Sequence, residues 1–226
     1  KLKSEAIRRA EKSIVLMDSA KLGVIAAAIA LVVGVVLGAV AALRRNKLID
    51  KIIMVITTAL VSMPSFIMGS LLLILFAVKW KLLPANGATT QGLILPIITL
   101  SLSPMAYITR LTRSSMLDVL GQDYIRTARA KGVPAFRIIF GHALKNSLIP
   151  VITYVGPMLA YIVTGSLVVE KIFSVSGIGR AFVNSINNRD YPVVQGCVLF
   201  IAFVYVIVNL VVDVLYAYID PRISYD

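Results

Sequence analysis

Long apolar runs separated by short polar stretches make up most of this sequence. A helix needs about 20 apolar residues to cross about 30 Å of hydrocarbon. Five uncharged runs approach or exceed that length, and they predict membrane spans at about 22–43, 52–78, 93–109, 147–169 and 193–212. The polar stretches between them are too short to bury cores of their own. The pattern therefore predicts one all-α domain over residues 1–226, a polytopic membrane helical bundle.

Prolines interrupt three of the predicted spans. Pro64, within "SMPSFIMG" (62–69), predicts a break or tilt in the unusually long second span. Pro104 and Pro157 lie inside the third and fourth spans. Such breaks are tolerated where neighbouring helices, hydroxyl groups or water satisfy the freed carbonyls. They fit either a bundle that lines a polar path or simple kinks that improve packing.

Polar side chains within the predicted spans are candidates for lining a translocation path. Each has an equally good alternative, a local hydrogen bond to a carbonyl of its own helix. The predicted spans contain no Asp, Glu or His apart from Asp213 at the end of the last one, which argues against a proton- or sodium-driven carrier. The path candidates are Ser62, Ser65, Ser101, Ser103, Thr164, Ser166 and Asn209.

Composition and charge agree with a membrane protein and set its orientation. The chain is 58% hydrophobic and 15% charged, whereas soluble domains are typically about 25% charged. Its net charge of +12 lies between apolar runs, so it suits anionic lipid headgroups and does not require a nucleic-acid partner. Cationic loops stay in the cytoplasm. With the N-terminal stretch set aside, the Lys/Arg count is 12 against 5, which places loop 110–146 in the cytoplasm and loops 79–92 and 170–192 outside.

Motifs for catalysis or cofactor binding are missing from the sequence. No G-x-x-x-x-G-K-[ST] phosphate loop occurs, so the chain is not expected to bind ATP itself. The single cysteine, Cys197, and the single histidine, His142, do not form a metal-ligand cluster. We therefore predict a non-catalytic protein without a cofactor or metal.

The cytoplasmic loop contains a punctuated basic stretch, "DYIRTARAKGVPAFRIIFGHALKNSLIP" (123–150). Asp123 is predicted to be the N-cap of a short helix over 124–131. Gly132 fits the left-handed position that ends a helix, and Pro134 prevents its continuation. A second helix is predicted from Pro134 to about residue 146, with an apolar stripe formed by Phe136, Ile139, Phe140 and Ala143.

Residues 123–132, here named the basic segment, combine small side chains with cations. Such a low-profile cationic helix suits insertion into a groove on a partner protein. The alternative is a helix that lies on anionic lipid, but its small residues offer little apolar surface for that role. The residues proposed for docking are Asp123, Tyr124, Arg126, Thr127, Ala128, Arg129, Ala130, Lys131 and Gly132.

The motif "DYIRTARAKG" followed by "HALKNSLIP" resembles the cytoplasmic EAA loop of ABC-importer permeases, in particular the oligopeptide/dipeptide/nickel branch. Over about residues 22–225 the resemblance continues in order through "AALRRN" (41–46), "SMPSF" (62–66), "RLTRSSMLDVL" (110–120), "VVEKIFSVSGIGR" (168–180), "RDYPVVQG" (189–196) and "DPRI" (220–223). Three departures stand out. Arg126-Thr127-Ala128 replaces Glu-Ala-Ala, while Lys145 and Ser176 stand where proline is common.

The resemblance implies a type I ABC importer permease fold that moves peptides or related solutes by alternating access. Five transmembrane helices would be present here and six in the full protein, with a first span and part of an external domain missing upstream. The implied partners are two ABC ATPase subunits that grip the basic segment, a second homologous permease, an extracytoplasmic substrate-binding protein and the lipid bilayer. The implied location is a bacterial or archaeal cytoplasmic membrane. An ATP-independent channel, a secondary carrier and a membrane scaffold are the alternatives.

Overall fold

A computed structural model describes residues 2–87, 89–163, 167–175 and 177–219. Every regular element in these ranges is helical, which confirms the predicted all-α class. Two π-helical segments, Leu73–Lys79 and Arg137–Leu144, and a short 3₁₀ turn, Gln91–Leu93, accompany the α-helices. The α-helices are α1 (Leu2–Leu43), α2 (Leu48–Ser62), α3 (Ser65–Leu72), α4 (Ile94–Leu120), α5 (Asp123–Ala130), α6 (Lys145–Ser147), α7 (Ile149–Val163), α8 (Leu167–Ile172), α9 (Ile178–Asn187) and α10 (Tyr191–Ile219).

Three helical stretches in the described ranges are long and apolar enough to cross a membrane: Ala20–Leu43, Gln91–Leu120 and Tyr191–Val211. Two bent pairs also pass if each pair is taken as one span. The helix axis bends by 106° between Leu48–Ser62 and Ser65–Lys79, and by 46° between Arg137–Ser147 and Ile149–Ile162. By length and composition, the described residues therefore contain three candidate spans, or up to five when each bent pair is counted as one span.

The break predicted within 62–69 is present. Helix α2 ends at Ser62 and α3 begins at Ser65, with Pro64 in an extended conformation at the N-cap position. Proline lacks the backbone N–H that would continue α2, so the chain changes direction at this point. The bend of 106° is too sharp for the two helices to form one straight crossing.

Several helices extend beyond the ends of the apolar runs. Helix α4 continues past Thr109 to Leu120, into the stretch expected to be a loop. Helix α9 occupies much of the stretch 170–192, which was also expected to be a loop. The 42 residues of α1 make a helix about 63 Å long at 1.5 Å per residue. Apolarity marked the expected ends of the spans, but charged residues such as Lys, Arg and Glu are good helix formers and allow helices to continue.

The chain folds as two compact units. The first, here called the terminal unit, comprises Lys1–Ala28, Met63–Ser101 and Gly156–Asp226. The second, the loop unit, comprises Ile29–Ser62 and Leu102–Val155 and contains the basic segment.

In the loop unit, α1 and α4 approach each other at two glycines spaced four residues apart. A Cβ atom on Gly38 would lie 2.6 Å from the Thr109 carbonyl oxygen, and one on Gly34 would lie 2.9 Å from the Met105 carbonyl oxygen. Small residues at this spacing let helix backbones approach closely in a membrane. Any larger side chain at either position would push the helices apart.

The C-terminal ends of these helices form a small core. Ala42 of α1, Met116 of α4 and Ala143 of the π-helical segment Arg137–Leu144 are buried together. Partly buried apolar side chains from the same elements surround them: Ala39, Leu117, Val119, Leu120 and Ile139. The core therefore joins α1 and α4 to the chain that follows the basic segment.

The terminal unit packs around a buried aromatic ring and a buried carboxylate. Phe173 is fully buried and, with Thr99, would contact any side chain added at Gly69 of α3. Glu170 of α8 is buried, and its Oε2 accepts a hydrogen bond of 3.2 Å from the Arg180 amide in the first turn of α9. A carboxylate at the N-terminus of a helix satisfies an otherwise unpaired N–H group and interacts favourably with the helix dipole.

Replacing Gly38 with leucine is expected to destabilise the fold, because the new side chain would overlap the Thr109 carbonyl. Overpacking of this kind typically costs about 1–3 kcal/mol, and each kcal/mol lowers the melting temperature by about 2–4 °C at this chain size. Thermal unfolding of the purified chain in detergent would measure the change. Gly196→Leu in α10 is the matched control, since a Cβ there has no neighbour within 4 Å. Equal melting temperatures for the two variants would contradict the close approach of α1 and α4.

The Thr112→Val substitution is expected to leave stability unchanged or to raise it by about 1 kcal/mol. Among the described side chains, the buried Thr112 hydroxyl has no hydrogen-bond partner, and leaving such a group unpaired is costly. Thr109→Val on the same helix removes a 2.7 Å bond to the Met105 carbonyl and should instead be neutral or slightly destabilising. Thermal unfolding that ranks Thr112→Val below Thr109→Val would contradict the assignment of an unpaired hydroxyl.

Candidate functional site

Helix α5 begins one residue earlier than a capping Asp123 would require. Gln122 has the extended conformation of the N-cap, and Asp123 is the first residue of α5. The prediction that Asp123 caps the helix is therefore wrong. Its carboxylate instead accepts a 3.3 Å bond from Arg126 Nη1, and its carbonyl accepts a bond from the Thr127 hydroxyl. An acid in the first turn still interacts favourably with the helix dipole.

The end of α5 has the geometry that the sequence predicted. Gly132 has a φ of 75°, in the left-handed region. The Gly132 amide donates to the Arg129 carbonyl at 3.0 Å, and the Val133 amide donates to the Ala128 carbonyl at 3.1 Å. These two bonds form the Schellman motif, which satisfies the last carbonyls of a helix and reverses the chain.

One side of α5 is held by the loop unit and the other is exposed. Ile125 is fully buried, and the Tyr124 hydroxyl accepts a 2.8 Å hydrogen bond from Asn146 Nδ2. These contacts attach α5 to the chain that leads into α6 and α7. The exposed residues are Asp123, Tyr124, Arg126, Thr127, Arg129, Ala130, Lys131 and Gly132, with Ala128 half-buried.

The apolar stripe predicted for the second helix is correct only in part: Ala143 is buried and Ile139 packs against it, but the two phenylalanines lie outside the buried face. The buried residues are Ile138, Ala143 and Ser147, whereas Phe136 and Phe140 are 72% and 53% exposed. The cause is the π-helical winding of Arg137–Leu144, in which each N–H bonds five residues back. An α-helical period therefore selects a set of residues that coincides only in part with the buried face.

A cavity of about 370 Å³ opens beside α5 within the loop unit. Its lining is apolar except for Arg129. The residues that line it come from the end of α1, the end of α4 and the chain on both sides of Gly132. The lining residues are Ala42, Leu43, Leu120, Arg129, Val133, Ala135, Ile138 and Ile139.

A partly buried ion pair in the same unit was not anticipated from the sequence. Arg113 of α4 donates to both carboxylate oxygens of Asp50 in α2, through Nε at 2.6 Å and Nη2 at 2.8 Å. The Asn46 amide adds a third bond of 2.9 Å to Asp50. A single acid within the cationic stretch 44–51 was the available signal, but 63 residues separate it from Arg113 and no local pattern links them.

The path candidates are distributed over both units. Ser62 and Ser103 belong to the loop unit, and Ser65, Ser101 and Asn209 to the terminal unit. Ser101 donates to the Ile98 carbonyl at 2.9 Å, and Asn209 donates to the Tyr205 carbonyl at 2.8 Å, as the local alternative expects. Thr164 and Ser166 lie outside the described residues.

Comparison with known proteins identifies close sequence relatives. The dipeptide transport system permease protein DppB of Bacillus subtilis is 50% identical over 207 residues, which cover 91% of this chain and 67% of DppB. The oligopeptide transport system permease protein OppB of Salmonella typhimurium is 46% identical over 210 residues, which cover 92% of this chain and 69% of OppB.

Two solved structures share the fold at low sequence identity. The inward-facing MetNI methionine ABC transporter has a TM-score of 0.74 at 15% identity and covers 92% of this chain and 95% of its own. An amino acid ABC transporter solved with histidines has a TM-score of 0.68 at 16% identity and covers 99% of both chains. The expected type I ABC importer permease fold is thereby confirmed.

The family described as "Binding-protein-dependent transport system inner membrane component" matches residues 34–225, which is most of the chain. The match includes α2 to α9, the basic segment and the described part of α10. This chain therefore belongs to the family of binding-protein-dependent transport system inner membrane components.

Proposed function

We propose that this chain is the membrane-spanning subunit of an ATP-driven importer for peptides or related small solutes. The named activities of its relatives support the solute class, since DppB is a dipeptide permease and OppB an oligopeptide permease at 50% and 46% identity. The import partners are two ABC ATPase subunits, a second homologous permease and an extracytoplasmic substrate-binding protein.

The observation that carries this proposal is the geometry of the basic segment. Its exposed face presents Arg126, Arg129 and Lys131, while the buried Ile125 and the Tyr124–Asn146 bond hold it from behind. A helix that is rigidly attached and cationic on its free side suits a groove with acidic residues at its rim. An ATPase subunit that grips this face would move the attached chain with it.

The mechanism follows from where the basic segment is connected. Helix α4 leads into it and the chain through α6 into α7 leads out, so displacement of α5 acts on two long helices at once. ATP binding would close the two ATPase subunits and draw the gripped segments together. Repeated opening and closing would expose the translocation path to one side of the membrane and then to the other.

The exposed side of α5 argues against a helix that simply lies on lipid. Helices that bind the membrane interface turn bulky apolar residues toward the bilayer. In α5 the bulky apolar side chain Ile125 faces the protein, and the exposed side carries Asp, Arg, Thr and Ala together with Tyr124, whose hydroxyl is bonded to Asn146. Electrostatic attraction alone would hold this helix only weakly on a lipid surface. A groove on a partner protein is therefore the better binding site for it.

Combining Gly132→Val with Arg129→Glu is expected to lower peptide uptake at least tenfold without reducing membrane insertion. Valine is strained at a φ of 75°, and glutamate reverses a charge on the exposed face. Uptake of a labelled peptide by the reconstituted complex would measure the effect. Gly141→Ala in the neighbouring π-helical segment is the control, because its added methyl group meets only an ordinary contact, 3.7 Å from the Arg137 side chain. Normal uptake by the double variant would contradict the coupling role.

Site-directed crosslinking would test the partner directly. In a Cys197→Ser background, cysteines introduced at Arg126, Arg129 and Lys131 should each capture an ATPase subunit when a short crosslinker is added to membranes. A cysteine at Val198 is the matched control, since this residue is exposed but lies within an apolar candidate span. Absence of an ATPase adduct at all three positions of the basic segment would overturn the proposed function.

A further inference from the structure

The ion pair between Asp50 and Arg113 restricts the relative orientation of its two helices more than apolar packing would. The two parallel bonds, at 2.6 and 2.8 Å, fix both the distance and the rotation of the guanidinium relative to the carboxylate. Asp50 is only 2% exposed, and the Asn46 amide supplies a third donor. Bidentate charge-assisted bonds of this kind are among the strongest and most directional contacts in proteins.

The pair connects elements that no other described ion pair connects. Asp50 is in the first turn of α2, and Asn46, with a φ of 63°, is in the tight turn that follows α1. Arg113 lies one turn before Met116, which belongs to the core that holds α1, α4 and the segment after α5 together. The pair therefore extends that core to the beginning of α2.

Stability alone does not explain an ion pair whose carboxylate is buried and whose arginine side chain is 23% exposed. Replacing a buried pair with apolar residues of similar size is often neutral or stabilising, because charges are costly to remove from water. What the pair adds is a fixed orientation between two helices. By contrast, Asp123 and Arg126 are highly exposed neighbours on one helix, at 3.3 Å, and such pairs contribute little.

The positions of Asp50 and Arg113 along the chain place the pair between the basic segment and α2. Arg113 precedes the end of α4 at Leu120 by seven residues, about 10 Å of helix, and α5 follows directly. At the other end, α2 runs from Asp50 to Ser62, where the chain breaks at Pro64 and leaves the loop unit. Movement of α5 would reach α4 through the chain, but it can reach the start of α2 only through side-chain contacts.

We propose that Asp50 and Arg113 are positioning residues that transmit movement of the basic segment to α2. In this role the two bonds between Arg113 and Asp50, here called the fork, link the helices, so that α2 turns together with α4 each time the ATPase subunits close. The inference rests on the proposed function, since it assumes that ATPase subunits move α5. It adds a second route of coupling, through α2 and its proline break, to the direct route through α4 and α7.

The test uses the complete complex in proteoliposomes, with its ATPase subunits, companion permease and binding protein, and a labelled peptide as substrate. Arg113→Lys keeps the charge but removes the fork, and Asp50→Asn keeps the shape but removes the charge. Both are expected to raise the ATP hydrolysed per peptide imported at least fivefold. Arg110→Gln, an exposed arginine on the same helix, should leave that ratio at the wild-type value.

A double variant separates positioning from folding. Asp50→Leu with Arg113→Met should assemble to normal levels, because apolar packing can replace a buried ion pair. It should nevertheless show the same raised ATP-to-peptide ratio, because it lacks the directional fork. Assembly is measured by co-purification with the ATPase subunits, and all rates are expressed per assembled complex.

Two results would overturn the inference, and they differ in what else they affect. A wild-type ATP-to-peptide ratio in Arg113→Lys, Asp50→Asn and the double variant, all in active complexes, would overturn this inference alone. Failure of the wild-type complex to couple ATP hydrolysis to uptake would overturn the proposed function, and the inference with it.

Discussion

The close approach of α1 and α4 is the constraint on which the rest of the loop unit depends. Gly34 and Gly38 bring the two backbones so near that a single added carbon atom would overlap the opposite helix. In a bilayer, association of helices relies on van der Waals packing and hydrogen bonds, because the lipid is as apolar as the side chains. The glycine contact therefore sets where the C-terminal ends of both helices lie, and with them the core around Met116.

The basic segment is a rigid part of the loop unit and not a flexible loop. Its Schellman motif satisfies the last carbonyls of α5, the buried Ile125 anchors its inner side, and the bond between Tyr124 and Asn146 fastens it to the following helix. In the proposed coupling role this attachment would let the segment pass on a displacement, which flexible residues would absorb. The cations Arg126, Arg129 and Lys131 remain exposed.

Polar residues within the apolar helices are satisfied mostly by their own backbone. Thr99, Ser101 and Thr109 each donate to a carbonyl three or four residues earlier, and Asn209 does the same in α10. The Asp50–Arg113 pair differs, because it satisfies two charges across different helices. Local bonding lets a hydroxyl reside in an apolar helix at little cost, whereas a charge needs a partner from elsewhere in the fold.

The helical class, the break near Pro64 and the left-handed Gly132 could each be predicted from the residue concerned and its immediate neighbours. Apolar length predicts helices, proline removes a donor, and glycine adopts a positive φ without strain. Tertiary structure alone decided the burial of Ile138 in place of Phe136, the close contact at Gly38 and the pairing of Asp50 with Arg113. These features depend on π-helical winding or on residues far apart in the chain, and a local periodicity carries no information about either.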